Sequence, residues 1–138
     1  MKPDGPSDGE ANFHATADGA RKRLGDAGER AAAAHLVANG FSIVARNHRC
    51  RRGEVDLIAE LRELLVFVEV RTRTSAQFGA PEETVTARKQ ARVVHAARDF
   101  LARWRGPPRA VRFDVIAVVD APAGVQLTHL PNAFDAGF

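Results

Sequence analysis

Two carboxylates in this chain stand where a carboxylate is expensive. The run Gly53-Glu54-Val55-Asp56-Leu57-Ile58-Ala59 and, after a short polar break, Leu65-Val66-Phe67-Val68-Glu69-Val70-Arg71 are each apolar enough for a buried strand, yet both carry acids inside. A charged group in a central strand is costly unless it is paired, hydrogen-bonded or bound to a cation. Two acids on one apparent hairpin, the second in a Glu-x-basic pattern, point to a site built around a metal ion. An acid facing Glu-x-basic on the next strand is an arrangement suited to gripping Mg2+ and a phosphodiester.

The geometry follows from strand periodicity. Alternation puts Glu69 and Arg71 on one face and Val68 and Val70 on the other. Leu61-Arg62-Glu63-Leu64 has the length of a four-residue hairpin loop. If Glu60 pairs with Leu65, then Ile58 pairs with Phe67 and Asp56 falls opposite Glu69, with Cβ atoms roughly 4.5–5.5 Å apart. Bare carboxylates that close repel by about 3 kcal/mol at an effective dielectric of roughly 20. A divalent cation or a proton relieves this, and Arg71 does so in part. A slip of one residue would put the acids on opposite faces. The competing reading is an ion-paired structural cluster with Arg71 or Arg73.

The elements that must position these groups read in order. Residues 1–19, rich in Gly, Asp, Pro and Ala without periodicity, read as a disordered tail. A helix is expected from residue 20, with Leu24, Ala27, Ala31, Ala34 and Leu36 near one face and a stop at Asn39-Gly40. Residues 41–47 alternate as a first strand, and Arg49-Cys50-Arg51-Arg52-Gly53 is a basic turn into the hairpin. Residues 74–81 read as a loop punctuated by Gly79 and Pro81. Thr86 can cap a helix running to about Trp104, with Val94, Ala97, Leu101 and Trp104 on the apolar side and Arg88, Arg92, Asp99 and Arg103 on the polar one. Gly106-Pro107-Pro108 ends it. Residues 111–119, containing Asp114, and 125–130 read as the last strands. Strands one to three fit an antiparallel meander, and the second helix is long enough for a crossover that makes strands three and four parallel. The expected fold is α/β, a mixed β-sheet flanked by helices over residues 20–131, with a C-terminal tail at 132–138.

Composition bounds the function. At 138 residues the chain can bury one real core. Its charge is +3, from seventeen arginines and three lysines against 17 acids. Arginine suits bidentate phosphate contacts, but so small a charge is no argument for nucleic acid by itself. There is no apolar run near the roughly 18 residues of a membrane span and no signal-peptide core, so a cytoplasmic protein without membrane attachment is expected. The lone Cys50 excludes an intramolecular disulfide and leaves a zinc ribbon without ligands.

Taken together, Gly28-Glu29, Arg46-Asn47 with Arg49, Gly53-Glu54-Val55-Asp56-Leu57-Ile58, Val66-Phe67-Val68-Glu69-Val70-Arg71-Thr72-Arg73, Phe78-Gly79 and Arg112-Phe113-Asp114-Val115 carry a resemblance. Over about residues 25–119 the chain resembles the YraN-like family of uncharacterised bacterial proteins. That family is related to Holliday junction resolvases and to the restriction-endonuclease-like, PD-(D/E)xK nuclease superfamily. The resemblance implies a restriction-endonuclease-like mixed sheet, with Asp56, Glu69 and Glu29 holding Mg2+ (Mn2+ as a substitute) and Arg71 in the place of the superfamily's lysine. It also implies branched or structured DNA as partner and a two-fold homodimer. Arginine stays protonated and cannot be a general base. It could still clamp a nonbridging phosphate oxygen, leaving the nucleophile's proton to Glu29 or to the substrate.

Around these acids, Arg46, Arg49, Arg51, Arg52 and Arg73, with Lys89 and Arg92 in the first turns of the second helix, are the candidate phosphate contacts. Glu54 reads as a solvated or outer group, and Asp114 as a partner of Arg112 or a loop cap. His35, His48 and His95 lack ligand spacing, Phe100 and Trp104 read as core, and Cys50 as inert. The leading expectation is a Mg2+-dependent endonuclease. The alternatives are a catalytically silent DNA-binding or scaffold module and, third, a protein–protein adaptor.

Overall fold

The computed structural model describes residues 6–74, 85–107 and 109–137. Its elements are α1 (Pro6–Ala38), β1 (Ser42–Cys50), β2 (Gly53–Leu61), β3 (Leu64–Thr74), α2 (Ala87–Ala102), β4 (Ala110–Ala121) and β5 (Gly124–Leu130). The strands form one five-stranded sheet in sequence order. Strands β1, β2 and β3 make an antiparallel meander, β3 and β4 run parallel across α2, and β5 pairs antiparallel with β4. The loop expected around Phe78, Gly79 and Pro81 falls mostly outside the described residues.

Local chemistry explains the element ends. Gly40 has φ +96°, and it lets α1 close with Gly40 N donating to Val37 O and Phe41 N to Leu36 O, both at 3.0 Å. That bond pattern is the Schellman motif, with Phe41 and Leu36 both buried beside it. At the start of α2 the Thr86 hydroxyl accepts from Lys89 N at 3.2 Å, as its cap position requires. The β2–β3 turn is tighter than expected: Leu61 pairs with Leu64, leaving only Arg62 and Glu63, with Arg62 at φ +55°. The register beyond the turn is nonetheless the expected one, Glu60 with Leu65 and Ile58 with Phe67.

Each face of the sheet carries a helix and its own core. On one, Ala32, Ala33 and Leu36 of α1 pack on Leu57, Ala59, Val66, Val68 and Val70. On the other, Val93, Ala96 and Ala97 of α2 pack on Ile58, Leu65, Phe67 and Phe113. Each helix buries only part of the face that its pattern suggested: Leu36 and Ala97 are buried, and Ala31, Val94, Leu101 and Trp104 pack at the edge of the core. In α1 Ala27 and Ala34 are exposed while Gly28, Ala32 and Ala33 are buried. An alanine-rich helix has little apolar contrast, and the contact is set by the close approach of Gly28 to Thr72 of β3. In α2 the buried stripe passes through Val93 rather than Val94, and Asp99 turns inward to accept from His48 at 2.9 Å.

Both ends of the chain carry structure where tails were expected. Helix α1 begins at Pro6, well before residue 20. After β5, Ala133 N donates to Phe113 O at 2.7 Å, and Phe134 stacks on Phe113 with centroids 5.1 Å apart.

Gly53 is the tightest point between β2 and α2. A Cβ there would collide with the Arg92 carbonyl, a backbone group that cannot rotate away. Gly53→Ala should therefore destabilise the protein by about 2–4 kcal/mol, more than an ordinary surface change. Thermal denaturation at neutral pH checks this, with the larger part of the loss expected as faster unfolding or a lower melting temperature.

Candidate metal centre

The site forms where the sheet stops being regular. Pairing of β2 with β3 ends at Leu57 and Val68, one pair short of Asp56 and Glu69. Past that point Val70 N–H donates to Asp56 Oδ2 at 2.8 Å, so a side chain takes a β3 amide where the ladder has parted.

The pleat also breaks here. Residues two apart on a strand should share a face. Yet Leu57 packs with the α1-side core and Val55 with the α2-side core. Strand β1 does the same: Arg46 lines a groove with Arg30, Ala33 and Val37 of α1, whereas His48 bonds Asp99 of α2. Arg46 pairs with Leu57 and His48 with Val55, which puts Asn47 and Asp56 level with each other at the break. Asn47 has φ +51°, the left-handed conformation that non-glycine residues avoid and Asn tolerates best.

The break collects four acids from three elements. Asp56 is pushed up to about 7 by burial and then by the Glu69 charge, against the opposing Val70 hydrogen bond. Burial also raises Glu69, with Arg71 and Lys89 pulling the other way. The two carboxyls lie within hydrogen-bonding reach, and burial together with their closeness disfavours ionising both at once. Glu29 of α1 is raised by burial and then by Asp56, while a hydrogen bond from the Asn47 side chain opposes. Glu54 adds its charge to all three, so it is more than a solvated residue, and it pairs with Arg49 Nε at 3.3 Å.

Cations frame the acids. Arg71 Nη1 lies 3.7 Å from Glu69 Oε2, and its Nε is buried with no hydrogen-bond partner among the described residues. On the α2 side a cavity of about 80 Å³ is lined by Glu54, Glu69, Lys89, Arg92 and Val93. On the α1 side one of about 510 Å³ is lined by Lys22, Gly25, Asp26, Glu29, Asn47, Arg49 and Glu54. Arg51 and Arg52 are exposed on the β1–β2 turn, which Gly53 presses against α2 beside Arg92. Arg46 is not brought to the acids: the face change at Asn47 turns it into the separate α1 groove. Arg73 lies half-buried further along β3. Neither Lys22 nor Asn47 was expected beside the acids, although Asn47 stood in one of the motifs that carried the resemblance. An Asn inside a strand, a type that tolerates positive φ, was the signal available for one, and Lys22 offered none.

Asp114 belongs elsewhere. It is fully buried, accepts from Arg112 Nε and Nη2 at 2.8 Å each and from Asn132 N at 2.9 Å, and receives His129 Nε2 at 2.7 Å. His129 in turn meets His35 of α1, Nδ1 to Nε2, at 3.0 Å.

Among the described residues no three acidic, His or Cys side chains close on one point as a ready-made metal cage. The donor set is a pair of carboxylates, and that fits Mg2+, which keeps several waters and takes one or two carboxylates. The fit has a pH signature. Asp56 is raised from 3.8 to about 7, so the metal-free fold binds a proton that the unfolded chain releases between those values. Its contribution to stability is full below the lower value and is lost as pH rises through the upper one. A bound Mg2+ would compete with the same proton, so the rise in melting temperature on adding Mg2+ should be small at pH 5.5 and larger at pH 8. Paired thermal melts with Mg2+ and with a chelator read this directly.

A five-stranded mixed sheet with a helix on each face, carrying acids at the parting of its central hairpin, defines an α/β domain of the restriction-endonuclease-like class. The chain belongs to the uncharacterised protein family UPF0102, the YraN family, whose model matches residues 28–118. Among its relatives, a UPF0102 protein of Anaeromyxobacter dehalogenans is 52% identical over 83% of this chain and 86% of its own length. Others from Symbiobacterium thermophilum, 48% identical over 83% and 98%, and Geobacter metallireducens, 41% over 85% and 96%, are similar across the same domain. The matched region contains Glu29, Glu54, Asp56 and Glu69.

Proposed function

We propose that the protein is a Mg2+-dependent endonuclease hydrolysing phosphodiester bonds in branched or structured DNA. The observation that carries this is the Asp56–Glu69 pair, two part-buried carboxyls whose closeness favours a proton on the pair, framed by Arg71, Lys89 and Arg92. A bound Mg2+ would replace that proton, polarise the phosphoryl group and lower the pKa of a coordinated water. Asp56 and Glu69 would be its protein ligands, with Glu29 accepting from one of its coordinated waters. The Arg71 guanidinium, which cannot accept a proton and stays partly exposed beside Glu69, would hold a nonbridging phosphate oxygen. Lys89 and Arg92 neutralise the same phosphate from α2, and Arg49, Arg51 and Arg52 bind the flanking backbone. Glu29, whose carboxyl is raised by burial and the Asp56 charge, would take the proton of the attacking water. Cutting paired strands at a branch calls for a two-fold homodimer, which light scattering at high concentration would detect.

The second reading is a silent DNA-binding module, favoured by one feature, the arginine that replaces the superfamily's lysine at residue 71. Cleavage of branched, nicked and single-stranded DNA with Mg2+ or Mn2+, alongside Asp56→Asn, separates the two. The nuclease reading expects metal-dependent cleavage of branched DNA that the variant loses. Salt-sensitive DNA binding without cleavage is the outcome for the silent module.

A further inference from the structure

We infer that Asn47 is a positioning residue of this centre, the group that holds the Glu29 carboxyl beside Asp56; the inference rests on the proposed metal site. Three independent features meet at this residue. It is level with Asp56 across the β1–β2 register. Its backbone is left-handed in the middle of a strand, and the faces presented by its neighbours change there. Its side chain hydrogen-bonds Glu29 and lines the α1-side cavity with Glu29, Arg49 and Glu54.

Few residue types can do both jobs. Glycine takes a positive φ freely but has nothing to offer Glu29. Aspartate tolerates the backbone but would set a fifth carboxylate among four and has no N–H for an ionised partner. Asparagine supplies the backbone conformation and an amide N–H to donate. Backbone strain of this kind gathers at functional sites where the surroundings enforce it, and here those surroundings include a carboxylate from another element.

The test uses Asn47→Gly, which keeps the backbone conformation accessible and deletes only the amide. Mn2+ affinity is measured by titration for the wild type, Asn47→Gly, Glu29→Gln and the double variant, with steady-state cleavage in parallel. The expected result is that Asn47→Gly leaves the metal-free melting temperature near the wild-type value and weakens Mn2+ roughly 10-fold, the scale of losing an orienting partner. The turnover number should fall with KM for DNA unchanged. The double variant should bind no more weakly than Glu29→Gln alone, because the amide acts through that carboxylate. Unchanged Mn2+ affinity in Asn47→Gly, or a loss that simply adds to that of Glu29→Gln, overturns the positioning role and leaves the metal site standing. A wild type that binds no metal overturns both.

Discussion

Asp56→Asn and Glu69→Gln should each abolish metal binding without harming the fold. Either change removes one charge and one oxygen ligand of a two-carboxylate site, so affinity should fall more than roughly 100-fold, beyond the 10–100-fold typical of outer partners. The fold should survive Asp56→Asn because the new side-chain amide would still accept from Val70 N and could donate to Glu69, imitating the protonated acid that already occupies the site near neutral pH. At pH 8, where the parent carries two repelling carboxylates, the metal-free amide variants should be equally stable or more stable by about 1–3 kcal/mol. Their melting temperatures should also lose most of the parent's decline between pH 5.5 and 8. Metal-free instability of several kcal/mol in both variants would be the behaviour of a buried ion pair robbed of a partner.

Asp114→Ala should show the reverse profile. Its carboxylate, itself fully buried, satisfies a guanidinium through two bonds, an imidazole and a backbone amide. Removing it strands the Arg112 charge and uncouples His129, and with it the contact to His35 on α1. The expected loss is about 3–5 kcal/mol, a large share of the roughly 5–15 kcal/mol that holds a domain together. A fall in melting temperature of roughly 10–20 °C follows for a chain of this size. Mg2+ should still raise the melting temperature of the variant by the parental amount, since neither cavity beside the acids involves Asp114.

These two acids show what the sequence could and could not disclose. Asp56 and Asp114 look alike as acids inside apolar strands, and alternation along one strand says nothing about partners from another. Asp114 is satisfied by Arg112 two residues away, but also by His129 and Asn132, which only the β4–β5 pairing and the turn after it bring close. The Asp56–Glu69 relation was legible because one hairpin contains both, and a single register assumption, Glu60 with Leu65, sets the rest. The strand order was legible too, since connection length decides parallel from antiparallel. Helix faces were legible only in part: Leu36 and Ala97 are buried as expected, but α1 is alanine-rich on several sides, and the rest of its buried face is chosen by the fit of Gly28 to Thr72. Nor was the pleat break, because periodicity assumes regular strands. Asn47 breaks that assumption with one dihedral angle, sending Arg46 to the α1 groove and His48 to α2.

The chemistry depends on one physical proposition, that Asp56 and Glu69 give up their shared proton to a divalent cation. Isothermal titration of Mn2+ into the wild-type protein at pH 8, repeated in buffers of different ionisation enthalpy at pH 6.5, tests it most directly. One site per chain is expected, with proton release that appears at pH 6.5 and fades by pH 8, and no site in Asp56→Asn. A wild-type titration indistinguishable from that of Asp56→Asn would contradict it.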